Sequence, residues 1–361
     1  MAKIVFTGNV FPWGPGIAYG GERILGYLSE ALIKLGHELY IFATEGTIPA
    51  KGAKDFVPVE PMRNDTDVYF DAVKEYIKRT GVHFDIYHTN YFGEGWNPET
   101  LTIADHPVEL VWNRWCHMAW QLKQTPYNVV SYSKVLQQDF LDVGVKTTMI
   151  HYGLPKDLYQ FSPDHDGYAV WIGKIEGGKR PDLAIKLALA AGLKIVIMGP
   201  PYNTTHFWQM VAPYIDNEKV FWVRGVDDEM KGKIMRRAKV FISSNDNNWK
   251  EHFGIVGIEA LACGTPLIAF NRIGQECAVW TDKIIIDGQN GFFLNYHDSN
   301  DLDEILEKGV PLLNKIITID RMECRKQFEA RFTSDLQAKR FDYLYNYIIE
   351  KGNVKSLEIP F

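Results

Sequence analysis

Residues 249–266, Trp-Lys-Glu-His-Phe-Gly-Ile-Val-Gly-Ile-Glu-Ala-Leu-Ala-Cys-Gly-Thr-Pro, carry the strongest structural signal in the chain. An apolar run that ends in small polar residues, 240–245, comes shortly before them, and the apolar run 266–270 follows. Inside the stretch, apolar positions recur at helical spacing, and Gly264 with Pro266 provides a stop signal. The order strand, loop, helix, strand is typical of an α/β domain.

The predicted helix opens at Phe253, Gly254 and Ile255, directly after the carboxyl end of a strand. The first turn of a helix leaves N–H groups unpaired, and open α/β sheets bind ligands outside the carboxyl ends of their strands. Gly254 has no side chain, so a ligand can approach the backbone closely there. We therefore expect a ligand-binding site at the start of this helix.

Two carboxylates lie eight residues apart in this stretch, Glu251 in the loop and Glu259 inside the helix. At roughly 100° per residue, eight residues return a helical side chain to about 80° from its starting direction, so both can face one cavity. Taken alone, Glu251 is equally consistent with an ordinary helix N-cap. Glu259 is harder to explain structurally, because burying an unpaired charge is costly.

The stretch resembles the signature of a large family of retaining glycosyltransferases with the GT-B fold. This family, glycosyltransferase family 4-like or group 1, is built around the motif Glu-x7-Glu. That signature begins Glu-Gly-Phe-Gly, and this chain has Glu251-His252-Phe253-Gly254, with a histidine in place of the first glycine. The resemblance implies that Glu251 lies beside the donor sugar and that Glu259 binds the ribose hydroxyls. The donor-binding set implied here is His252, Phe253, Gly254, Ile255 and Glu259.

Composition limits the possible classes of protein. The 361 residues, 46% of them hydrophobic, are too many for one ordinary core and suit two domains. The net charge of −6, with lysine and arginine spread along the chain, argues against a nucleic-acid partner. Four scattered cysteines without a CxxC pair indicate reduced thiols. The first apolar run is too short for a signal peptide or a membrane span, so we expect a cytoplasmic protein with at most peripheral membrane contact.

The first 42 residues show the order strand, glycine-rich loop, helix, strand, which predicts a βαβ unit. Gly14 and Gly16 begin like a dinucleotide fingerprint, but Tyr19 occupies the place of the third glycine, which disfavours NAD binding. The resemblance implies instead that Gly20 and Gly21, at the start of the helix, belong to the loop that meets the donor phosphate and the acceptor.

The resemblance implies that the acceptor binds within residues 40–160, where the similarity is looser. His88 ends a strand in a pattern similar to the family's Asp-Ile-x-His, although a packed strand-end histidine is an equally good interpretation. A dense aromatic set either stacks on sugar rings or fills the core. Its members are Tyr91, Phe92, Trp96, Trp112, Trp115, Trp120 and Tyr127.

Family members carry a histidine just past the strand that we predict at 108–112, and that histidine touches the donor sugar. In this chain Asn113 holds the position and His117 follows four residues later, so His117 is the candidate. The histidines of this region show no metal-ligand spacing, and the chain has no Asp-x-Asp motif at the site. We expect no metal and no cofactor.

Two basic residues follow the predicted strand 168–172. The segment 173–181 resembles the family's Gly-Arg-x4-Lys loop, with Lys174 replacing the arginine and Lys179 in the lysine position. The resemblance implies contacts with the leaving diphosphate, while the alternative is a solvated basic turn. A lysine makes a point-charge contact rather than the two-pronged contact of arginine. Farther on, Arg224 and Gly225 resemble the turn that meets the nucleobase.

The implied fold class is α/β, a GT-B fold with two Rossmann-like doubly wound domains facing an interdomain cleft. We place the acceptor domain at 1–160, the donor domain at 161–330 and a helix that crosses back at 331–361. The proline- and aspartate-containing segment 154–167 is the predicted linker.

The function implied is transfer of a sugar, with retention and without a metal, from a nucleoside-diphosphate sugar to a hydroxyl of a glycan, glycolipid or small molecule. Alternatives are a nucleotide-sugar epimerase or phosphorylase of the same fold and a nucleotide-sugar-binding protein without catalysis. An NAD-dependent dehydrogenase is the weakest alternative. The sugar, the base, the acceptor and the oligomeric state stay open.

Overall fold

Two units, each with its own parallel sheet, make up the chain in the computed structural model. The first unit contains Met1–Pro155 and Phe332–Phe361, and the second contains Lys156–Arg331. The structure describes residues 1–8, 11–14, 20–60, 67–90, 103–110, 128–225, 227–248, 251–275 and 282–361.

The first unit has a seven-stranded sheet in the order β3-β2-β1-β4-β5-β6-β7, and every strand pair is parallel. Its strands are β1 Lys3–Thr7, β2 Glu38–Thr44, β3 Asp55–Val59, β4 Ile86–Thr89, β5 His106–Leu110, β6 Asn128–Ser131 and β7 Thr148–Met149. Its first helices are α1 Gly20–Lys34, α2 Asp67–Thr80 and α3 Lys134–Asp142. Ile4, Val5 and Phe6 of β1 are fully buried, as expected for a central strand covered on both faces.

The second unit has a six-stranded parallel sheet in the order β10-β9-β8-β11-β12-β13. Its strands are β8 Ala169–Ile172, β9 Ile195–Met198, β10 Val220–Val223, β11 Val240–Ser243, β12 Leu267–Arg272 and β13 Gly291–Tyr296. Its helices are α4 Pro181–Ala190, α5 Thr204–Met210, α6 Asp228–Arg237, α7 Ile255–Cys263, α8 Leu302–Lys315 and α9 Arg321–Arg331. The last helix of the chain, α10 Ser334–Lys351, belongs to the first unit.

Counted within its own unit, each sheet begins with the doubly wound strand order 3-2-1-4-5-6. The order reverses between the first and fourth strands, which are β1 and β4 in one sheet and β8 and β11 in the other. Loops on the two sides of such a reversal turn away from each other and leave a crevice at the carboxyl edge, where ligands of these folds bind.

The boundary between the units lies at Pro155, whereas the sequence placed it at residue 160. The buried guanidinium of Arg325 in α9 donates hydrogen bonds to the backbone oxygens of Lys156 (2.8 Å) and Tyr159 (3.0 Å). That of Arg321 donates to the backbone oxygen of Ser162 at 2.9 Å. Most of the predicted linker is therefore packed on the second unit, because two arginines far along the sequence bind its carbonyl groups.

His88, at the end of β4, is a packed histidine. Its ring is fully buried between Phe6 and Phe341, with ring centroids 4.7 and 5.0 Å away, and Nδ1 shares a hydrogen bond with the hydroxyl of Tyr345. Phe341 and Tyr345 lie in α10, so this histidine fixes the terminal helix to the sheet. Of the two interpretations of His88, the packed strand-end histidine is therefore the one that fits its environment.

Acidification is expected to destabilise the first unit through His88. Burial lowers the pKa of His88 from 6.5 to about 3, so the unfolded chain takes up a proton that the folded chain excludes. The stabilisation is complete above pH 6.5 and is lost as the pH falls toward 3. Between pH 7 and pH 5 we expect a loss of about 2 kcal/mol in the free energy of unfolding.

Urea unfolding of wild type and of His88→Phe at the two pH values measures this effect. The variant should lose about 2 kcal/mol less than wild type on acidification, whatever its stability at pH 7. His37 contributes in the same direction in both proteins, since burial lowers its pKa despite the nearby Asp342. Equal losses in wild type and variant would contradict the assignment.

Candidate functional site

The loops that follow β8 and β11 are joined at the reversal point of the second sheet. Lys179 Nζ lies 3.2 Å from Glu251 Oε2, so the predicted cation and the predicted carboxylate form an ion pair. Asp246 N donates to the backbone oxygen of Gly178 at 2.9 Å. Ser244 Oγ lies 3.0 Å from the backbone oxygen of Lys179 and accepts a hydrogen bond from Trp171 Nε1 at 3.0 Å. Hydrogen bonds to backbone atoms, together with the ion pair, thus fix the positions of the two loops relative to each other.

Arg180 anchors the same loop, which the sequence did not indicate. Its backbone is left-handed, with φ 42°, and its guanidinium binds the buried carboxylate of Asp182 through Nε (2.9 Å) and Nη2 (3.1 Å). Asp182 is fully buried in the first turn of α4. This two-pronged pair attaches the turn that carries Lys179 to the start of α4.

Helix α7 begins directly after Gly254, as the sequence predicted. Gly254 has φ 79°, a left-handed conformation that suits glycine, and no side-chain hydrogen bond caps this end of the helix among the described residues. Phe253 is buried and Ile255 is half-buried. The first-turn N–H groups of α7 therefore lie at the carboxyl edge of the sheet, where an anion can accept hydrogen bonds from them.

Glu259 is buried in α7 and belongs to a charged cluster. Its side chain is 1% exposed, against 29% for Glu251. Lys231 Nζ of α6 lies 2.8 Å from Glu259 Oε1 and 2.9 Å from Asp228 Oδ1. The hydroxyl of Tyr159 donates toward the same two carboxylates, at 3.1 and 2.8 Å. The ammonium and the hydroxyl of this cluster offset the free-energy cost of burying the carboxylate of Glu259. That cost is the reason why Glu259 was hard to explain from the sequence as an ordinary helix residue.

The other predicted residues of the second unit lie along the same edge. Lys174 follows β8, and its Nζ lies 4.8 Å from the ring centroid of Tyr202 in the loop after β9. Arg224 and Gly225 follow β10 and are exposed. Among the described residues, a Cβ atom at Gly225 would meet nothing within 4 Å, so none of them fills the space beside this turn.

Several predicted residues lie elsewhere. Gly20 and Gly21 are the first two residues of α1 in the first unit. His117, Asn113 and the seven aromatic residues of the expected acceptor side lie outside the described residues. The structure therefore leaves these assignments as predictions.

One set of possible metal ligands occurs in the described part of the chain. His83, Asp85 and Asp105 offer ligand atoms within 4.8 Å of one another. They precede β4 and β5 at the amino edge of the first sheet, opposite the edge of ligand binding, and His83 is paired with Asp105 at 3.0 Å. This set has no connection with the diphosphate chemistry expected in the second unit.

Gly199 requires the absence of a side chain where the loops after β8 and β9 meet. Its φ is 140°, and a Cβ atom would lie 1.9 Å from the backbone oxygen of Gly173. We expect Gly199→Ala to lower the free energy of unfolding of the second unit by about 2 kcal/mol. Gly192→Ala is the control, because Gly192 also has a positive φ, 72°, but an open surrounding.

Urea unfolding of both variants separates the steric clash from backbone strain. Gly192→Ala should cost about 1 kcal/mol from the left-handed conformation alone. Equal losses in the two variants would show that the loops after β8 and β9 are not in the close contact described.

Comparison with known families bears on the second unit. Residues 160–311 match the family model described as "Glycosyl transferases group 1". The second unit is thus similar to this family over most of its length. A D-inositol 3-phosphate glycosyltransferase of Arthrobacter sp. (strain FB24) is 29% identical over 145 residues, which are 40% of this chain and 27% of that protein. The match thus spans about a quarter of that relative's length.

Solved structures show the fold of the whole chain. Sucrose-phosphate synthase from Thermosynechococcus elongatus is similar with a TM-score of 0.73 and 18% identity, covering 97% of this chain and 100% of that one. The catalytic domain of starch synthase IV from Arabidopsis thaliana, bound to ADP and acarbose, gives a TM-score of 0.67 and 14% identity, covering 97% and 100%. The chain therefore has the GT-B fold that the sequence predicted. In the part of the chain that the structure describes, no helix is long and apolar enough to cross a bilayer.

Proposed function

We propose that the protein is a retaining glycosyltransferase that moves a sugar from a nucleoside-diphosphate sugar to a hydroxyl acceptor. The observation that carries this proposal is the order of groups along the carboxyl edge of the second sheet. The strands β10, β9, β8 and β11 are neighbours in that order. The exposed turn at Arg224 follows β10, both lysines follow β8, and the Glu251 loop follows β11. Three strand spacings cover about 14 Å, which gives base, diphosphate and sugar successive places.

The diphosphate has its place at the reversal of strand order. As the glycosidic bond breaks, negative charge develops on the leaving phosphate oxygen. Lys174, Lys179 and the first-turn N–H groups of α7 supply positive charge and donors in one region. Each charge-assisted hydrogen bond of this kind contributes about 1.5–3 kcal/mol.

Lys179 and Glu251 exchange partners in the proposed mechanism. Lys179 Nζ lies 3.2 Å from Glu251 Oε2, so the ammonium is held beside the carboxylate. A diphosphate brings more negative charge to Lys179 than one carboxylate does, and the released Glu251 can accept hydrogen bonds from sugar hydroxyls. In this proposal, donor binding gives both residues the roles that the family resemblance implies.

Retention follows if the acceptor attacks from the side of the leaving group. The bond between the anomeric carbon and the phosphate oxygen breaks, the acceptor oxygen bonds to the same face of the carbon, and the acceptor proton passes to the leaving phosphate. Glu251 contacts hydroxyls and forms no covalent intermediate. The lysines and helix amides supply the positive charge, so a metal is not required by the proposal.

Glu259 has the role of binding the ribose. Vicinal hydroxyls donate two hydrogen bonds to one carboxylate, and the ammonium of Lys231 lies 2.8 Å from Oε1 of Glu259. The starch synthase of the same fold is bound to ADP, a nucleoside diphosphate. That relative supports the class of donor proposed here.

Turnover tests the function directly. Incubation with UDP-, GDP- and ADP-glucose and a panel of hydroxyl acceptors should release one nucleoside diphosphate, and proton NMR should show the product with the anomeric configuration of the donor. Addition of EDTA should leave the rate unchanged. Inversion of configuration would contradict the proposed mechanism, and a rate lost with EDTA and restored by Mg²⁺ would contradict metal independence. Diphosphate binding without turnover of any donor would favour a binding protein without catalysis.

A further inference from the structure

Tyr202 is an exposed aromatic residue beside a predicted catalytic lysine. Its side chain is 67% exposed, so it is not part of the core of the second unit. Lys174 Nζ lies 4.8 Å from the centroid of its ring, within the range of a cation–π interaction. The aromatic face therefore attracts the ammonium at the edge of the sheet where the diphosphate is expected.

Backbone hydrogen bonds fix the relative positions of the two residues. Ile175 N donates to the backbone oxygen of Pro200 at 3.0 Å, and Asn203 N donates to that of Ile175 at 3.1 Å. Both bonds meet the first loop at Ile175, next to Lys174, and their other ends, Pro200 and Asn203, flank Tyr202. Ile175 and Pro201 also form a parallel bridge. The contact between ammonium and ring is thus built on two loops that backbone hydrogen bonds join to each other.

A lysine needs such support more than an arginine does. The ammonium is carried on a four-carbon chain with about 2 kcal/mol of rotamer entropy, and it lacks the planar fork that orients a guanidinium on a phosphate. An aromatic face restricts the ammonium to a smaller volume without taking its hydrogen-bond donors. A diphosphate can then bind the same ammonium while the ring stays behind it.

We propose that Tyr202 is a positioning residue that holds the ammonium of Lys174 in place for the leaving diphosphate. This inference rests on the proposed function, since the diphosphate is the group that Lys174 would contact. Tyr202 itself does not have to touch the substrate. It restores at this position part of the orientation that a guanidinium would have supplied.

The test compares Tyr202→Ala, Tyr202→Phe and Trp208→Ala. Phenylalanine keeps the aromatic face, so it should retain wild-type behaviour, whereas alanine should lower diphosphate affinity and kcat/KM about 2- to 30-fold, the range of cation–π interactions from exposed to desolvated sites. Trp208 is the matched control, because it is 68% exposed on the adjacent helix α5. Its replacement should leave both quantities unchanged.

A double-mutant cycle with Lys174→Ala separates positioning from a general loss of structure. If Tyr202 acts through Lys174, Tyr202→Ala should have no further effect once Lys174 is alanine. The probes are UDP, GDP and ADP in calorimetry, followed by turnover of the corresponding glucose donor. Thermal unfolding of each variant should match wild type, because the side chain is largely exposed.

The outcomes distinguish this inference from the proposed function. If wild type binds none of the three diphosphates, the proposed function fails and the positioning role fails with it. If wild type binds one of them but Tyr202→Ala behaves like wild type, only the positioning role is overturned. The positioning role is also overturned if Tyr202→Phe is as impaired as Tyr202→Ala, or if Tyr202→Ala weakens binding equally with and without Lys174.

Discussion

Replacing Lys179 with alanine is expected to lower kcat of sugar transfer about 10²–10³-fold, the usual loss when one preorganised donor to a developing charge is removed. Lys179 is fixed for this role by contacts on both sides. Its backbone oxygen is bound to Ser244, and its ammonium is bound to Glu251 at 3.2 Å. The effect should fall mainly on kcat, because the charge on the leaving oxygen grows as the bond breaks.

Lys194→Ala is the control for this prediction. Lys194 is exposed and directly precedes β9, at the amino edge of the same sheet, so its loss changes the net charge of the unit without touching the site. Steady-state kinetics of both variants with the accepted donor give the comparison. Equal rates for Lys179→Ala and Lys194→Ala would remove Lys179 from the mechanism.

Glu259→Ala is expected to have the largest effect on stability in the second unit. The change leaves Lys231, which is buried, with Asp228 as its remaining carboxylate in the cluster and removes an acceptor of Tyr159. Breaking a buried ion pair from one side costs about 3–5 kcal/mol, and the remaining pair with Asp228 puts the expected loss near the lower limit, about 3 kcal/mol. Glu259→Gln keeps the shape and an acceptor oxygen and should lose less.

The matched control is Glu229→Ala in α6. Glu229 pairs with Lys233 at 2.6 Å, but the two side chains are largely exposed, and such pairs contribute little. Urea unfolding followed by tryptophan fluorescence measures the three variants. A stability of Glu259→Ala equal to that of Glu229→Ala would show that the buried cluster is not as described.

The central strands and the α7 segment were predictable because burial on both faces leaves a direct mark in the sequence. β1 and β11 are short apolar runs, and Gly254 and Gly264 delimit α7, both with φ 79°. The order strand, loop, helix in the sequence also predicted that the two loops lie at the carboxyl ends of β8 and β11. That order places Lys179 and Glu251 at the same point of the sheet, where the structure pairs them.

Elements at the edges and in short segments were missed. β3, Asp55–Val59, lies at the edge of the first sheet, includes Pro58 and is largely half-buried, so it lacks the apolar signal of a central strand. The seven-residue helix α5 is too short for a clear helical period, although Asn203 caps it by accepting from His206 N. An asparagine before Thr-Thr was the available signal.

The partners of Glu259 were beyond sequence reasoning for another reason. Tyr159 is 100 positions away from Glu259 in the chain, and Lys231 is 28 positions away. The sequence around each of them does not indicate a contact with Glu259. Tyr202 is similar, since only the contact between two loops brings it to Lys174. A single sequence records the period of a helix or strand, but it does not record which loops meet.

Calorimetric titration of UDP, GDP, ADP and NAD, without added metal, into wild type and Glu259→Gln is the most direct measurement of the donor-site assignment. We expect one nucleoside diphosphate to bind wild type with a micromolar Kd and to bind Glu259→Gln about 10- to 100-fold more weakly, as is usual for hydrogen bonds to a charged group. Binding of NAD alone, or a diphosphate affinity indifferent to Glu259, would contradict the assignment.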